Sequence, residues 1–198
     1  MEGIALEELE IEFKNLLDYE TFAKLRDSLF KDIEPVTHTN FYIDTPDHQF
    51  IDQKIALRIR DSKGRQMMTL KIPQEIGVME YHGEVADHLL DDQYIPPAAL
   101  PSNIHDQLTT YPIDLSRLLI VGALSTERRE TPYDSGLLVL DASCYLDCED
   151  YEVEFEAQDY ESGHEQFEQF LIDYAVPKKT AMNKVQRFYT RRSELIGK

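Results

Sequence analysis

The sequence predicts an α+β fold built on a large antiparallel sheet. About eight segments alternate apolar with charged or polar residues, which is typical of strands whose two faces differ. Most of these segments follow one another with short connections, which favours antiparallel pairing over a parallel α/β arrangement. Helical spacing of apolar residues is clearest early and late in the chain. No stretch resembles a domain linker, so we expect one domain, with closure of the sheet into a barrel as one option.

The first half of the chain predicts one helix among five strands. Asp18 is a good N-cap residue. The residues after it place Phe22, Leu25 and Leu29 at helical spacing. Two alternating segments flank the Gly-containing stretch SKGR, which predicts a β-hairpin, and TPDHQ predicts a turn. The strands are expected at residues 6–14, 36–45, 54–61, 66–73 and 77–87.

The second half predicts three further strands and two long helices. Residues 91–116 contain four of the nine prolines, which predicts a loop with one short helix around Asn103–Thr110. A turn is expected near Asp134–Gly136. The strands are expected at residues 117–133, 136–146 and 150–157, and the helices at 162–176 and 180–196.

Composition limits the possible partners. The formal net charge is −18, which argues against a broad surface for nucleic acid or an anionic membrane. No run approaches the ~18 apolar residues of a membrane span, and the acidic start MEGIALEELE is unlike a secretory signal. We therefore expect a cytoplasmic protein. Cys144 and Cys148 are expected to be free thiols, because no second Cys or His pair has metal-site spacing.

Charged residues share one face of several predicted strands. Within ELEIEFK, Leu9, Ile11 and Phe13 point one way, and a set of three glutamates and a lysine points the other way. Carboxylates ~6–7 Å apart along one face repel unless a cation faces them. The same alternation places these charged residues on one face of their strands: Glu8, Glu10, Glu12 and Lys14; Arg58 and Arg60; Lys71; Glu80, His82 and Glu84; Glu152, Glu154 and Glu156.

Two interpretations of these faces remain open from the pattern alone. Each strand could place its apolar side in a core and its charged side in water. If the charged faces instead line one concavity, the carboxylates suit Mg²⁺ or Mn²⁺ and the cations suit phosphate oxygens. The sequence lacks a P-loop and a G-x-S-x-G elbow.

An ordered set of motifs resembles the CYTH superfamily, the triphosphate tunnel metalloenzymes. EIEFK, with Glu10, Glu12 and Lys14, is similar to the family's Glu-x-Glu-x-Lys signature. FYIDTPD resembles its aromatic-x-Asp-Thr strand end. ALRIR and TLK resemble its Arg-x-Arg and Thr-x-Lys pair. VLD and YEVEFE resemble its late acidic strands, and NKVQRF resembles its C-terminal segment. The likeness covers nearly the whole chain and is greatest to the bacterial branch of about 190 residues found in Gram-positive bacteria.

The resemblance implies an eight-stranded antiparallel β-barrel that forms a tunnel, with flanking helices, over residues 1–198. Mg²⁺ or Mn²⁺ would be the cofactor and a small triphosphate the partner. The resemblance does not give the oligomeric state, for which a homodimer is one option. Catalytic roles fall to Glu12, Lys14 and Glu84. The resemblance assigns substrate binding to Lys14, Arg58, Arg60, Lys71, Arg128 and Lys184. It assigns metal binding to Glu10, Glu12, Asp141, Glu152 and Glu154.

Three features stay open at this point. Arg128 and Arg129 are adjacent, so only one can face the site. Glu152, Glu154 and Glu156 all have the parity of metal ligands. The family commonly has Arg-x-Glu-x-Glu where this chain has Glu80, His82 and Glu84, and only Glu84 fits that pattern.

The resemblance implies metal-dependent hydrolysis of inorganic triphosphate or a small organic triphosphate as the leading function. An adenylyl cyclase that makes cyclic AMP from ATP is an alternative within enzymes. A polyphosphate- or nucleotide-binding module with little catalysis is an alternative outside them. The fourth reading is an acidic sheet protein whose charged faces are only solvated.

Overall fold

Eight strands form a closed antiparallel barrel among the residues that the computed structural model describes, which are 6–180 and 182–197. The predicted fold class is therefore confirmed. The strands follow the hydrogen-bonded order β1-β5-β4-β3-β2-β6-β7-β8. Their bounds are β1 Leu6–Leu17, β2 Val36–Asp44, β3 Ala56–Ser62, β4 Arg65–Pro73, β5 Val78–Glu84, β6 Leu119–Tyr133, β7 Gly136–Tyr145 and β8 Cys148–Ala157.

Five α-helices occur within the same described ranges. Three of them begin at a side-chain cap: Asp18 accepts from Thr21 N, Asp159 from Ser162 N, and Asn183 from Gln186 N. Three short 3₁₀ helices lie between β5 and β6, and the short helix predicted there around Asn103–Thr110 is present as Ser102–Leu108. The helices are α1 Tyr19–Leu29, α2 Gln49–Asp52, α3 Ser102–Leu108, α4 Tyr160–Asp173 and α5 Lys184–Ile196.

The structure differs from the prediction mainly at element ends. β1 continues three residues beyond the predicted end, because residues up to Leu17 pair with β8. The last helix begins at Lys184 rather than at residue 180, and residue 181 of the predicted range lies outside the described residues. The turn predicted after β2 leads directly into the short helix α2, which the sequence analysis missed.

A buried aspartate explains why α2 forms after β2. Asp44 is fully buried, and its carboxylate accepts hydrogen bonds from the backbone N–H groups of Thr45, Phe50 and Ile51. The N–H groups of Phe50 and Ile51 would otherwise be orphaned at the start of a short helix. The Asp of FYIDTPD therefore fixes the corner between β2 and α2.

The described residues divide into two compact units. The first contains His38–Leu124 together with residues 6–9. In this unit the apolar faces of β3 and β4, which include Leu57, Ile59, Met68 and Leu70, form a core with Phe50, Ile95, Ile104 and Leu118. The alternation predicted for IALRIR and MMTLKI is confirmed, since the apolar positions are buried and the basic positions lie on the opposite face.

The second unit contains Glu10–Thr37 and Ser125–Lys198. Its core joins the outward apolar residues of β7 and β8 to the helices α1 and α4. Gly163 is the point where α4 approaches β8, because a Cβ there would overlap the Ala157 side chain. The core residues are Leu17, Phe22, Leu25, Phe30, Leu138, Leu140, Val153, Phe155, Phe167, Phe170, Leu171 and Val176.

Asn15 fixes the chain that leads into α5. Its buried side chain donates to Pro177 O and accepts from Lys179 N, and Leu16 N donates to Lys179 O. These bonds hold the segment after α4 against β1 within the second unit. The start of α5 is thereby set by residues far away in sequence.

Two negative findings apply to the part of the chain that the structure describes. None of its helices has the length and apolar character required to span a membrane. Cys144 and Cys148 are free thiols, as predicted, and neither belongs to the cluster of potential metal ligands found among these residues.

The first prediction concerns the Asp44 corner. We expect Asp44→Asn to lower the free energy of unfolding by about 2–3 kcal/mol, because an amide N–H₂ replaces an oxygen that accepts buried backbone donors. Urea unfolding monitored by circular dichroism measures this change. Asp52→Asn, at the exposed end of the same helix, is the matched control and should change stability by less than about 0.5 kcal/mol. Equal effects of the two variants would contradict the assigned role of Asp44.

Candidate functional site

Strand register collects charged residues on one face of the second unit. Lys14 lies opposite Glu154, and Glu12 lies opposite Glu156, in the β1–β8 pair. In the neighbouring pairs, Asp141 lies opposite both Glu152 and Arg128. The charged alternation predicted for β1 and β8 is therefore continuous across β1, β8, β7 and β6.

Three buried carboxylates form the centre of this face. Asp141, Glu152 and Glu154 are each at most 2% exposed, and one oxygen from each lies within 4.8 Å of the others. Carboxylates this close repel strongly in a low-dielectric environment unless cations compensate them. The question is therefore which cations do so.

Lys184 contacts all three carboxylates. Its Nζ atom lies 2.8 Å from Asp141 Oδ2 and 2.7 Å from Glu154 Oε1, and it also makes a short contact with Glu152 Oε1. Lys184 is the first residue of α5, and the Asn183 cap fixes that helix start. An ammonium group therefore stands where the three carboxylates converge.

Arg128 is the second compensating cation. Its Nε donates to Asp141 Oδ1 at 2.9 Å, and its Nη2 donates to Asp141 Oδ2 at 2.7 Å and to Glu154 Oε2 at 2.6 Å. This two-pronged geometry is the strong form of an arginine–carboxylate pair. The side chain that reaches the carboxylates is thus Arg128, which answers the question left open between Arg128 and Arg129.

Lys14 joins the cluster from β1. Its Nζ pairs closely with Glu12 and lies 3.7 Å from Glu154 Oε1. Glu10 and Glu12 lie on the same face of β1, but neither belongs to the close oxygen group found among the described residues. The metal-ligand roles of Glu10 and Glu12 stay predictions.

Burial moves the pKa values of two cluster members toward neutrality. Burial, with repulsion from Glu12, raises the pKa of Glu154 to about 7. Burial also lowers the pKa of Lys184 to about 7. Burial also acts to raise the pKa of Asp141. The positive charges of Lys184 and Arg128 outweigh this effect and hold the pKa of Asp141 well below the ordinary range. The cluster therefore combines one firmly ionised carboxylate with a pair whose charge changes near neutral pH.

The three carboxylates fit a hard divalent cation. Mg²⁺ and Mn²⁺ prefer oxygen ligands, and Asp141, Glu152 and Glu154 offer three converging oxygens that are shielded from water. A cation already binds all three oxygens in the form of the Lys184 ammonium group. The donor set therefore suits a metal. The Lys184 ammonium group supplies the positive charge at the point where the three carboxylates converge.

The first unit contains a separate group of basic residues. Arg60 Nε donates to Asn40 Oδ1 at 3.0 Å, in line with the β2–β3 register. The buried Nε of Arg58 has no hydrogen-bond partner in the described part of the chain. This unsatisfied donor makes Arg58 a candidate for binding an anionic acceptor.

Lys71, Glu80 and His82 form a chain of contacts in the same unit. Lys71 pairs closely with Glu80, and Glu80 Oε2 lies 3.3 Å from His82 Nε2. His82 Nδ1 lies 2.9 Å from Thr69 Oγ1. Burial lowers the pKa of His82, with Glu80 opposing the shift, so the neutral ring is favoured. The residues that depart from the family pattern are therefore paired with each other and with Lys71.

Glu84, a predicted catalytic residue, lies at the end of β5. Its side chain is 57% exposed and accepts from Arg65 Nη2 at 3.0 Å. It is opposite Met67 in the register, on the same face as His82. Its catalytic role stays a prediction.

Sequence reasoning missed Arg187. This side chain is 7% exposed, and its Nη2 donates to Glu152 Oε2 at 2.7 Å. A signal was present in NKVQRF, because positions 184 and 187 of a helix lie on the same face. Without the tertiary structure nothing indicated that this face meets β8.

The fold and the cluster together define a class: a closed antiparallel barrel whose strands carry buried carboxylates paired with lysine and arginine. Comparison with known families agrees, since the CYTH domain profile matches residues 8–189. The chain belongs to the CYTH domain family.

Known relatives support the same assignment. The Bacillus subtilis (strain 168) protein named "Putative triphosphatase YjbK" is 35% identical over 192 residues, which are 96% of this chain and 99% of that protein. The crystal structure of a protein from Bacillus halodurans described as a putative adenylate cyclase is 35% identical, with a TM-score of 0.82, and covers 92% of this chain and 98% of that chain.

A more distant structure shares the fold. The Hippeastrum protein HpAC1, described as a putative adenylyl cyclase with a dominant triphosphatase activity, is 22% identical. Its TM-score is 0.77, over 92% of this chain and 96% of that chain. At this level of identity the likeness establishes only the architecture.

The second prediction concerns pH and Glu156. Burial and the neighbouring Glu10 and Glu12 raise the pKa of Glu156 to about 7 from an ordinary 4.5, although Arg128 opposes the shift. Between these values the folded protein keeps a proton that the unfolded chain has lost, so this glutamate costs stability as pH rises through 7. We expect the free energy of unfolding of Glu156→Gln, relative to that of wild type, to rise by up to about 1 kcal/mol between pH 4.5 and pH 8, after a discount for screening by solvent.

Urea unfolding in EDTA at both pH values measures this gain. Glu165→Gln, an exposed change on α4, is the control and should alter stability by less than about 0.5 kcal/mol at either pH. A gain from Glu156→Gln that is the same at both pH values would contradict the raised pKa.

Proposed function

We propose that this protein hydrolyses a triphosphate, inorganic or borne by a small organic molecule, with Mg²⁺ or Mn²⁺. The observation that carries the proposal is the set of three converging, buried carboxylate oxygens of Asp141, Glu152 and Glu154, surrounded by basic side chains. Three carboxylates at this depth serve no evident packing purpose, because burying them costs free energy. The triphosphatase name of the B. subtilis relative supports the same reaction class.

The proposed roles follow from the chemistry of each side chain. Asp141, Glu152 and Glu154 would hold the divalent cation, which supplies Lewis-acid stabilisation of phosphate oxygens when bound. Arg128 and Lys14 present donors on the same face and would bind the phosphate oxygens. Glu12, which pairs with Lys14, would orient the attacking water.

Lys184 has a further role in this proposal. Its ammonium group holds the three carboxylates together without a metal. With a divalent cation held by these carboxylates, the Lys184 ammonium group would instead be available to bind phosphate oxygens.

The first unit supplies further candidates for phosphate binding. Arg58 has a buried Nε atom without a hydrogen-bond partner in the described residues. Arg60 and Lys71 stay predicted phosphate ligands, although Lys71 is already paired with Glu80. The substrate-binding roles of these three residues rest on the family resemblance.

A cyclase that makes cyclic AMP from ATP is the second candidate function. The B. halodurans relative, described as a putative adenylate cyclase, is as similar in sequence as the B. subtilis protein. Both reactions use a triphosphate, so the same cluster would suit either. The product formed from ATP separates them, since the cyclase yields cyclic AMP and pyrophosphate.

The single-domain organisation, the cytoplasmic location and the homodimer stay predictions.

The third prediction tests catalysis directly. We expect the wild-type protein to release phosphate from tripolyphosphate only with Mg²⁺ or Mn²⁺. Glu12→Gln and Glu154→Gln should each lower the turnover by about 100-fold or more, because each removes a charged oxygen at the site of charge development. A colourimetric phosphate assay measures the rates, and chromatography of ATP reactions detects cyclic AMP.

Glu127→Gln is the matched control for this assay. Glu127 is exposed and precedes Arg128 on β6, so its side chain points to the opposite face. We expect this variant to retain wild-type turnover within about twofold. Absence of metal-dependent release of phosphate or cyclic AMP from either substrate by the folded wild-type protein would refute the enzymatic proposal.

A further inference from the structure

Arg187 lies directly behind one of the three clustered carboxylates. It is on α5, one turn after Lys184, and is buried with 7% exposure. Its Nη2 donates to Glu152 Oε2 at 2.7 Å, while Lys184 contacts the other oxygen, Glu152 Oε1. The two basic residues therefore take different oxygens of the same carboxylate.

The guanidinium group is itself held on its other sides. Nε lies 2.9 Å from Asp150 Oδ2, and Nη1 donates to the backbone carbonyl of Met182 at 2.6 Å. Asp150 in turn accepts from Tyr145 OH at 2.7 Å. Arg187 is thus fixed by the strand β8 and by the chain that leads into α5, so its direction toward Glu152 is determined before any ligand binds.

This arrangement decides which oxygen of Glu152 joins the cluster. With Oε2 occupied by Arg187, Oε1 is the oxygen that faces Lys184 together with Asp141 Oδ2 and Glu154 Oε1. A carboxylate free to rotate would present its two oxygens in many orientations. Partners outside the ligand set orient ligating carboxylates in this way and affect metal affinity strongly.

We propose that Arg187 is a positioning residue that holds Glu152 Oε2, so that Glu152 Oε1 completes a three-oxygen site for a divalent cation with Asp141 and Glu154. The inference rests on the proposed metal site and adds a residue that contacts neither metal nor substrate. Arginine is required for this role, because a lysine ammonium cannot contact Glu152, Asp150 and the Met182 carbonyl in one plane.

The chain offers a matched comparison one turn further along α5. Arg191 also binds a carboxylate of the β7–β8 hairpin, with its Nε donating to Asp147 Oδ1 at 2.7 Å, and it pairs with Glu194 as well. Arg191 is more exposed and its partners are outside the cluster. Arg187 and Arg191 therefore share a helix, a charge and a type of partner, and differ in contact with Glu152.

The fourth prediction is that Arg187 sets the metal affinity. Titration calorimetry with Mn²⁺ alone, at 150 mM KCl, measures the dissociation constant of the full chain. We expect Arg187→Met to weaken Mn²⁺ binding by about 10–100-fold, and Arg187→Lys to weaken it by a similar amount. Arg191→Met should stay within about twofold of wild type. Glu152→Gln gives the reference for Mn²⁺ that binds other carboxylates of this acidic chain.

A double variant separates positioning from a general effect on folding. In the Glu152→Gln background, Arg187→Met should cause less than about a twofold further change, because the carboxylate that it orients is already gone. If Arg187→Met weakens Mn²⁺ binding equally in both backgrounds, Arg187 acts elsewhere and the inference is wrong. Should Arg187→Met fail to fold, Arg187→Lys decides, and wild-type affinity in that variant overturns the inference.

The outcomes distinguish this inference from the proposed function. If wild type binds Mn²⁺ and Arg187→Met binds it equally well, the positioning role fails while the metal site stands. If wild type binds no more Mn²⁺ than Glu152→Gln does, the metal site itself fails, and the role of Arg187 fails with it.

Discussion

The need to compensate three buried carboxylates determines much of the second unit. Asp141, Glu152 and Glu154 are almost fully enclosed, and the desolvation of even one unpaired carboxylate costs several kcal/mol. Lys184 and Arg128 supply the compensating charge through direct contacts. Removing one partner of such a buried group costs more stability than the intact pair contributes, typically about 3–5 kcal/mol. The cluster is therefore evidence of function more than of stability.

The position of α5 follows from the same constraint. Its residues 184, 187 and 191 lie along one side of the helix, and each binds carboxylates of the β7–β8 hairpin. The helix start depends on the Asn183 cap and on Asn15, which fixes the preceding segment to β1. The apolar contribution comes from Phe188, which is fully buried beside Tyr145. The ion pairs thus determine which residues of α5 face the β7–β8 hairpin, and Phe188 supplies the buried apolar contact.

The charged face of the first unit has a different balance of charges from that of the second unit. Its charged face is rich in cations, and Glu80 pairs with both Lys71 and His82 in place of the residues common in the family. Glu80 thereby places a carboxylate beside Lys71, on a face that also carries Arg58 and Arg60. Substrate preference within the CYTH family is a property that such a change can alter, because phosphate affinity depends on the number of uncompensated cations. If the charged faces of the strands were only in contact with water, Glu80 would be exposed, whereas it is buried.

The sequence by itself determined the strands, their two-faced character and the family, because alternation with period two and short motifs are local properties. Glu12, Lys14, Arg58 and Glu154 could be assigned to charged faces in this way. Only the tertiary structure decided that Arg128 rather than Arg129 reaches the carboxylates, and that Lys184 and Arg187 take different oxygens of Glu152. It also decided that Asp44 builds the α2 corner. The contacts of the cluster depend on the pairing register of β6, β7 and β8 and on where α5 packs, and contacts between residues 26 and 35 positions apart leave no periodic trace in the chain.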